Sequence, residues 1–146
     1  MTVPAHTAPA AVPDLRSALA AVRARGLRLS SARRAVLEAL YAATRPLSAD
    51  ELARAGGCDV ASAYRNLEAL ETAGLIRHMH VGHGAGLYAP AGSSCEVVAC
   101  ERCGARTVLA PEIASRIRAA VRAASGFVPR FDHFPLTGLC PRCASR

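Results

Sequence analysis

Apolar residues recur at helical spacing through the first half of the chain, and at strand spacing in shorter runs beyond it. Leu15, Ala18, Leu19 and Val22 mark one face of a helix over residues 14–25, which Gly26 stops. Ser30 or Ser31 can cap a second helix that carries Val36, Leu37 and Leu40 on one side. The run Ser48-Ala-Asp-Glu51 has the form of a capping box and predicts a short helix through Arg54, broken by Gly56-Gly57. Asp59 can cap a fourth helix with Val60, Leu67 and Leu70 inside and Ala63 and Tyr64 on the same side or its border; Gly74 ends it. Residues 75–81 and 87–89 then read as two strands joined by the turn 82–86. Three helices followed by a hairpin predict a winged helix-turn-helix unit.

After residues 90–94 the pattern changes. Residues 96–99 and 107–109 read as short strands, and Pro111 can start a helix with Ile113, Ile117, Ala120 and Val121 on its apolar face. Gly126 closes that helix, and residues 127–136 form an extended segment. The expected organisation is a disordered tail at 1–13, a winged-helix unit at 14–89, a hinge at 90–94 and a second unit at 95–146. The fold class is α+β.

Two Cys-x-x-Cys pairs lie in the second unit: Cys100 with Cys103, and Cys140 with Cys143. Each short loop lets two sulfurs face one ion, so together they predict a closed, structural zinc site. The N-terminal stretch lacks the basic start and long apolar run of a signal peptide, which points to a reducing cytoplasm and to metal or redox chemistry for the six cysteines rather than disulfides. No apolar run approaches bilayer length, so no membrane partner is expected.

Aromatics make up only 4% of the 146 residues, so aliphatics and Ala must fill the core. All 18 basic residues are Arg, and the net charge is +7. Such a chain is attracted to polyanions, and Arg pairs with phosphate and with guanine edges. On the fourth helix Arg65 can reach guanine, Asn66 can reach adenine, and Ser62 and Tyr64 can hold phosphates. Arg28, Arg33 and Arg34 can clamp the backbone from the preceding helix. The same face could instead be simply solvated, with Arg65 paired to Glu68.

The motifs, taken in order, resemble the ferric uptake regulator family of metal-responsive repressors, and among them the zinc uptake regulators. Arg25-Gly-Leu-Arg-Leu-Ser-Ser-Ala-Arg-Arg-Ala-Val-Leu-Glu-Ala-Leu40 resembles the family's opening, and Leu47-Ser-Ala-Asp-Glu-Leu52 its next helix. Ser62-Ala-Tyr-Arg-Asn-Leu-Glu-Ala-Leu-Glu-Thr-Ala-Gly-Leu-Ile76 resembles its recognition helix, with Ser-Ala where Thr-Val is usual. Cys100-x-x-Cys-Gly104 and Gly138-Leu-Cys-Pro-Arg-Cys143 resemble its zinc-binding ends. The resemblance implies a homodimer joined through the C-terminal unit, a palindromic double-stranded DNA operator, and a regulatory metal at the hinge. It makes Tyr64 and Arg65 the DNA-contacting pair and the four paired cysteines the structural zinc ligands.

The sensing site departs from the family pattern. The His-rich stretch before the first Cys pair is Ser93-Ser-Cys-Glu-Val-Val-Ala99 here, with Cys95 where a regulatory His is expected and Val97 in place of a second. Candidate ligands are Cys95 with His78, His80 and His83 on the wing, and Glu112, Asp132 and His133 beyond. A thiolate with imidazoles suits zinc; the wing histidines could equally be solvated or touch phosphate. Cys58, before the recognition helix, is either a thiol made reactive by the helix dipole or a small buried residue. The leading expectation is a zinc-responsive repressor without enzymatic activity. A redox- or other-effector-responsive regulator on the same fold is the alternative, and a thiol–disulfide oxidoreductase a distant one.

Overall fold

The computed structural model describes residues 12–81, 84–93, 95–131 and 133–146. The expected tail therefore lies almost wholly outside the described residues, as do His83 and Asp132. The chain divides into two compact units. One runs through Arg77 and takes in Tyr88–Ser93; the other comprises His78–Leu87 and Ser94–Arg146.

The helices of the first unit are α1 (Leu15–Ala24), α2 (Ser31–Ala42), α3 (Ala49–Gly56) and α4 (Val60–Thr72). Each starts at a side-chain cap that satisfies an otherwise orphaned N–H. Asp14 accepts from Ser17, Ser30 from Arg33, Ser48 from Glu51 and Asp59 from Ser62. At Ser48 the cap is reciprocal, because the Glu51 carboxylate accepts from the Ser48 N–H at 2.8 Å. α3 ends at Gly57, whose φ of +60° is left-handed and disfavours any residue with a Cβ.

Val22, Val36, Leu37, Leu40, Leu52, Leu67, Leu70 and Leu75 bury against one another with Ala18, Ile76 and Tyr88. Each fully buried Leu or Val is worth roughly 1.5–3 kcal/mol over its exposed state, so a core with few aromatics suffices. Val60, expected inside, is 38% exposed: as the first residue of α4 it precedes the turn that packs. The expected strands are shorter or shifted, at β2 (Ile76–Met79) and β3 (Leu87–Pro90). A two-residue strand that the periodicity does not signal, β1 (Leu47–Ser48), completes a three-stranded sheet in the order β1-β3-β2.

The second unit holds β4 (Val97–Cys100), β5 (Arg106–Val108), α5 (Pro111–Ser125), β6 (Leu136–Gly138) and a short α6 (Pro141–Ala144). Its sheet order is β5-β4-β6. β4 and β5 pair antiparallel, with Val98 opposite Thr107, whereas β4 and β6 pair parallel, with Ala99 opposite Thr137. A parallel pair needs a long crossover, and α5 lies within it. Pro111 opens α5 at a position where its missing N–H costs nothing. Of the 15 residues of α5 only Ala114 is buried, so its apolar face, with Ile113 and Ala120 exposed and Ile117 and Val121 half-buried, is largely uncovered. The sheet is tied to the helix by buried Glu96, which ion-pairs with Arg118 while that guanidinium lies over the Phe131 ring, 4.5 Å from its centroid. Met79, Leu87 and Val97, with Val81 against them, form a small apolar cluster in this unit.

Candidate metal centre and nucleic-acid interface

The parallel register of β4 and β6 brings the ends of the two Cys pairs together. Glu101 N–H donates to the Gly138 carbonyl at 2.9 Å, and Arg102 Nη1 donates to the Cys143 carbonyl at 2.8 Å. Cys100, Cys103, Cys140 and Cys143 then place their sulfurs within 4.8 Å of one another. Cys103 and Cys140 Sγ are 3.6 Å apart, close to the about 3.8 Å that tetrahedral zinc–thiolate bonds of 2.3 Å require. Cys140 occupies the N-cap position of α6, and its N–H donates to the Cys100 sulfur at 3.3 Å. That bond and its neighbours hold the Cys100 thiol down at about 6. Cys143 is pushed up to about 12 by desolvation and the adjoining thiols. The donor set fits zinc: four soft ligands within 4.8 Å of one another and backbone N–H support at sulfur. Among the described residues this is the one group of three or more His, Cys, Asp or Glu side chains that converges in this way.

Among the described residues, the candidate sensing residues do not form a second such group. His78, His80 and His133 do come together, with ring centroids 4.3 Å apart for His78 and His80 and 4.9 Å for His80 and His133. The backbone pins them: His80 N–H donates to the His133 carbonyl at 2.9 Å, and His133 Nδ1 lies 3.0 Å from the His78 carbonyl. As a donor there, Nδ1 leaves Nε2 as the acceptor nitrogen of His133. A Cβ at position 86 would collide with His78 Nε2, so Gly86 makes room for that imidazole. Phe134, exposed, stacks near His80 at 5.9 Å between centroids. Cys95 is half-buried, and Glu112 is exposed in the first turn of α5. His133 was legible only as a candidate residue; its contact with the wing spans 55 residues of sequence.

In the first unit, α4 turns Tyr64 outward at 45% exposure, with Arg65 exposed beside it. Asp59 accepts from both the N–H and the hydroxyl of Ser62, which hold its carboxyl below the usual range. Arg65 Nη2 donates to Ser62 Oγ at 2.9 Å. Arg33 Nε donates to Asn66 Oδ1 at 3.2 Å, and Asn66 Nδ2 donates to the Ser62 carbonyl at 3.0 Å. Arg28 and Arg34 are exposed at the same end of α2, the latter 4.0 Å from Glu38. Cys58 is half-buried, neither fully packed nor open.

Residues 29–78 match a helix-turn-helix domain family. No curated protein matches the chain. Among solved structures, the chain is similar to the Helicobacter pylori ferric uptake regulator, described as having three functional metal-binding sites. The two share 23% identity over 92% of this chain and 96% of that one, with a TM-score of 0.67. It is also similar to the Pseudomonas aeruginosa ferric uptake regulator with manganese, at 26% identity over 84% and 97% and a TM-score of 0.59. A zinc-bound manganese uptake regulator matches at 20% identity over 84% and 98%, with a TM-score of 0.63. The chain thus has the fold of the ferric uptake regulators and carries a helix-turn-helix domain within it.

Proposed function

We propose that this chain is a zinc-responsive transcriptional repressor of the ferric uptake regulator family, acting in the cytoplasm as a homodimer on a palindromic operator. The observation that carries the reading is the pairing, in one chain, of an outward-facing recognition helix with four converging sulfurs. Residues 14–89 would bind DNA, 90–94 would hinge, and 95–146 would dimerise. Tyr64 and Arg65 would face the major groove, with Ser62 and Asn66 beside them, and Arg28, Arg33 and Arg34 would meet phosphates. Cys100, Cys103, Cys140 and Cys143 would hold a structural zinc.

The uncovered apolar side chains of the second unit support a second copy as partner: Val108 on the edge strand β5, Ile113 on α5, and Phe127 at 76% exposure. The sensing metal would draw on His78, His80 and His133, with Cys95 and Glu112 as further candidates; the gathered imidazoles support this, and an N/S set favours zinc. A metal shifts the protein toward its DNA-binding form only by binding that form more tightly.

The test is metal analysis of the purified protein combined with DNA binding across zinc, iron, manganese and nickel, using duplexes enriched from a random library. One zinc should resist mild chelation. Added zinc should tighten DNA binding by tenfold or more, about 1.4 kcal/mol of coupling. DNA affinity indifferent to every added metal would overturn the metal-responsive reading.

A further inference from the structure

The polar residues that open the recognition helix are not equally free to meet DNA. A residue that reads adenine presents both ends of its amide to the base edge at once, one accepting and one donating. In Asn66 both ends are engaged inside the protein. Its Nδ2 donates to the Ser62 carbonyl one turn back, its Oδ1 accepts from Arg33 Nε, and the residue is half-buried. Tyr64 and Arg65, two and one positions earlier in the chain, stand exposed.

Arg33 sits in the first turn of α2, where the helix dipole opposes a cation. Two oxygens offset that opposition. One is Asn66 Oδ1 and the other is the Arg28 carbonyl, which accepts from Arg33 Nη1. Two of the guanidinium's five N–H groups are thereby committed, and the rest suffice for a bidentate bond to phosphate. Resting on the DNA-binding reading above, we infer that Asn66 is a positioning residue. It aims Arg33 at a backbone phosphate and reads no base, so base readout narrows to Arg65 and Tyr64.

The test uses the full-length, zinc-loaded protein and a randomised duplex library, followed by binding curves over a series of salt concentrations. For Asn66→Ala the base preference at every position should match the wild type. Affinity should fall on all duplexes alike, and the slope of log affinity against log salt should become shallower by about one. Arg33→Met should show the same change of slope, and the double variant should lose no more than either single one. Asn66→Asp keeps the acceptor for Arg33 and nearly the same shape, so it serves if the alanine variant unfolds; its base preferences should also be unchanged. A changed preference at one base pair in either Asn66 variant overturns the inference, because it marks a base reader. An unchanged salt slope in both Asn66→Ala and Arg33→Met also overturns it, because it leaves the clip a purely structural tie between α2 and α4. A wild type that enriches no sequence is a different result: it removes the DNA-binding reading, and this inference with it.

Discussion

Glu96 and Arg118 show how one residue pair can decide the integrity of a small unit. Glu96 is buried at the start of the second sheet, and one of its oxygens, Oε2, has no hydrogen-bond partner among the described residues. Arg118, from α5, is the cation that makes its charge tolerable, and Phe131 covers the guanidinium. Removing one partner of a buried pair leaves the other charge uncompensated, at about 3–5 kcal/mol. Arg118 is a third exposed, so Arg118→Met should fall at or below the low end of that range. Chemical denaturation of the zinc-loaded protein checks this; a loss under half a kcal/mol would mean that water already serves Glu96. The pair was hidden in the sequence, where Glu96 reads as the polar end of a strand and Arg118 as one arginine among 18.

At the scale of elements, α3 makes a prediction about pH. The Glu51 carboxylate bonds Arg45 at 2.6 Å and closes the capping box, which holds its pKa at about 2 against a usual 4.5. The folded-state value is the lower one. The stabilisation is therefore fully present above about pH 4.5 and is lost as the pH falls toward 2. Glu51→Gln should lack that component, so its melting temperature should approach the wild type's as the solution is acidified across that window. A gap that stays constant would assign the stabilisation to packing instead. This helix, like α1, α2 and α4, was legible because caps and 3.6-residue periodicity are local signals. β1 was not, because two residues carry no alternation; nor was α6, four residues inside a metal loop. The apolar stripe of α5 was legible as a pattern, but periodicity shows which residues share a face and not what covers it. The four-sulfur site was legible from spacing alone. The imidazole cluster and the Arg33–Asn66 clip depend on contacts 33 to 55 residues apart, which no local pattern encodes.

For the whole molecule, the decisive trait is how the chain is threaded. It leaves the first unit after Arg77, returns at Tyr88 and leaves again after Ser93, so β2 and β3 each belong partly to both units. A fragment ending at Ser93 would keep every helix of the first unit. It would also carry the Met79 and Leu87 of the wing without Val97, which they pack against. Such a fragment should bind a hydrophobic dye and melt below the full chain, and Met79→Gln with Leu87→Thr should reduce the dye signal; equal melting temperatures would show that the wing is self-sufficient. The tip of the hairpin thus packs with the sulfur-bearing unit, while its base belongs to the helical one. In engineering terms, a chimera that swaps the sulfur-bearing half should carry residues 78–87 with it, so that the hairpin tip keeps its apolar partner.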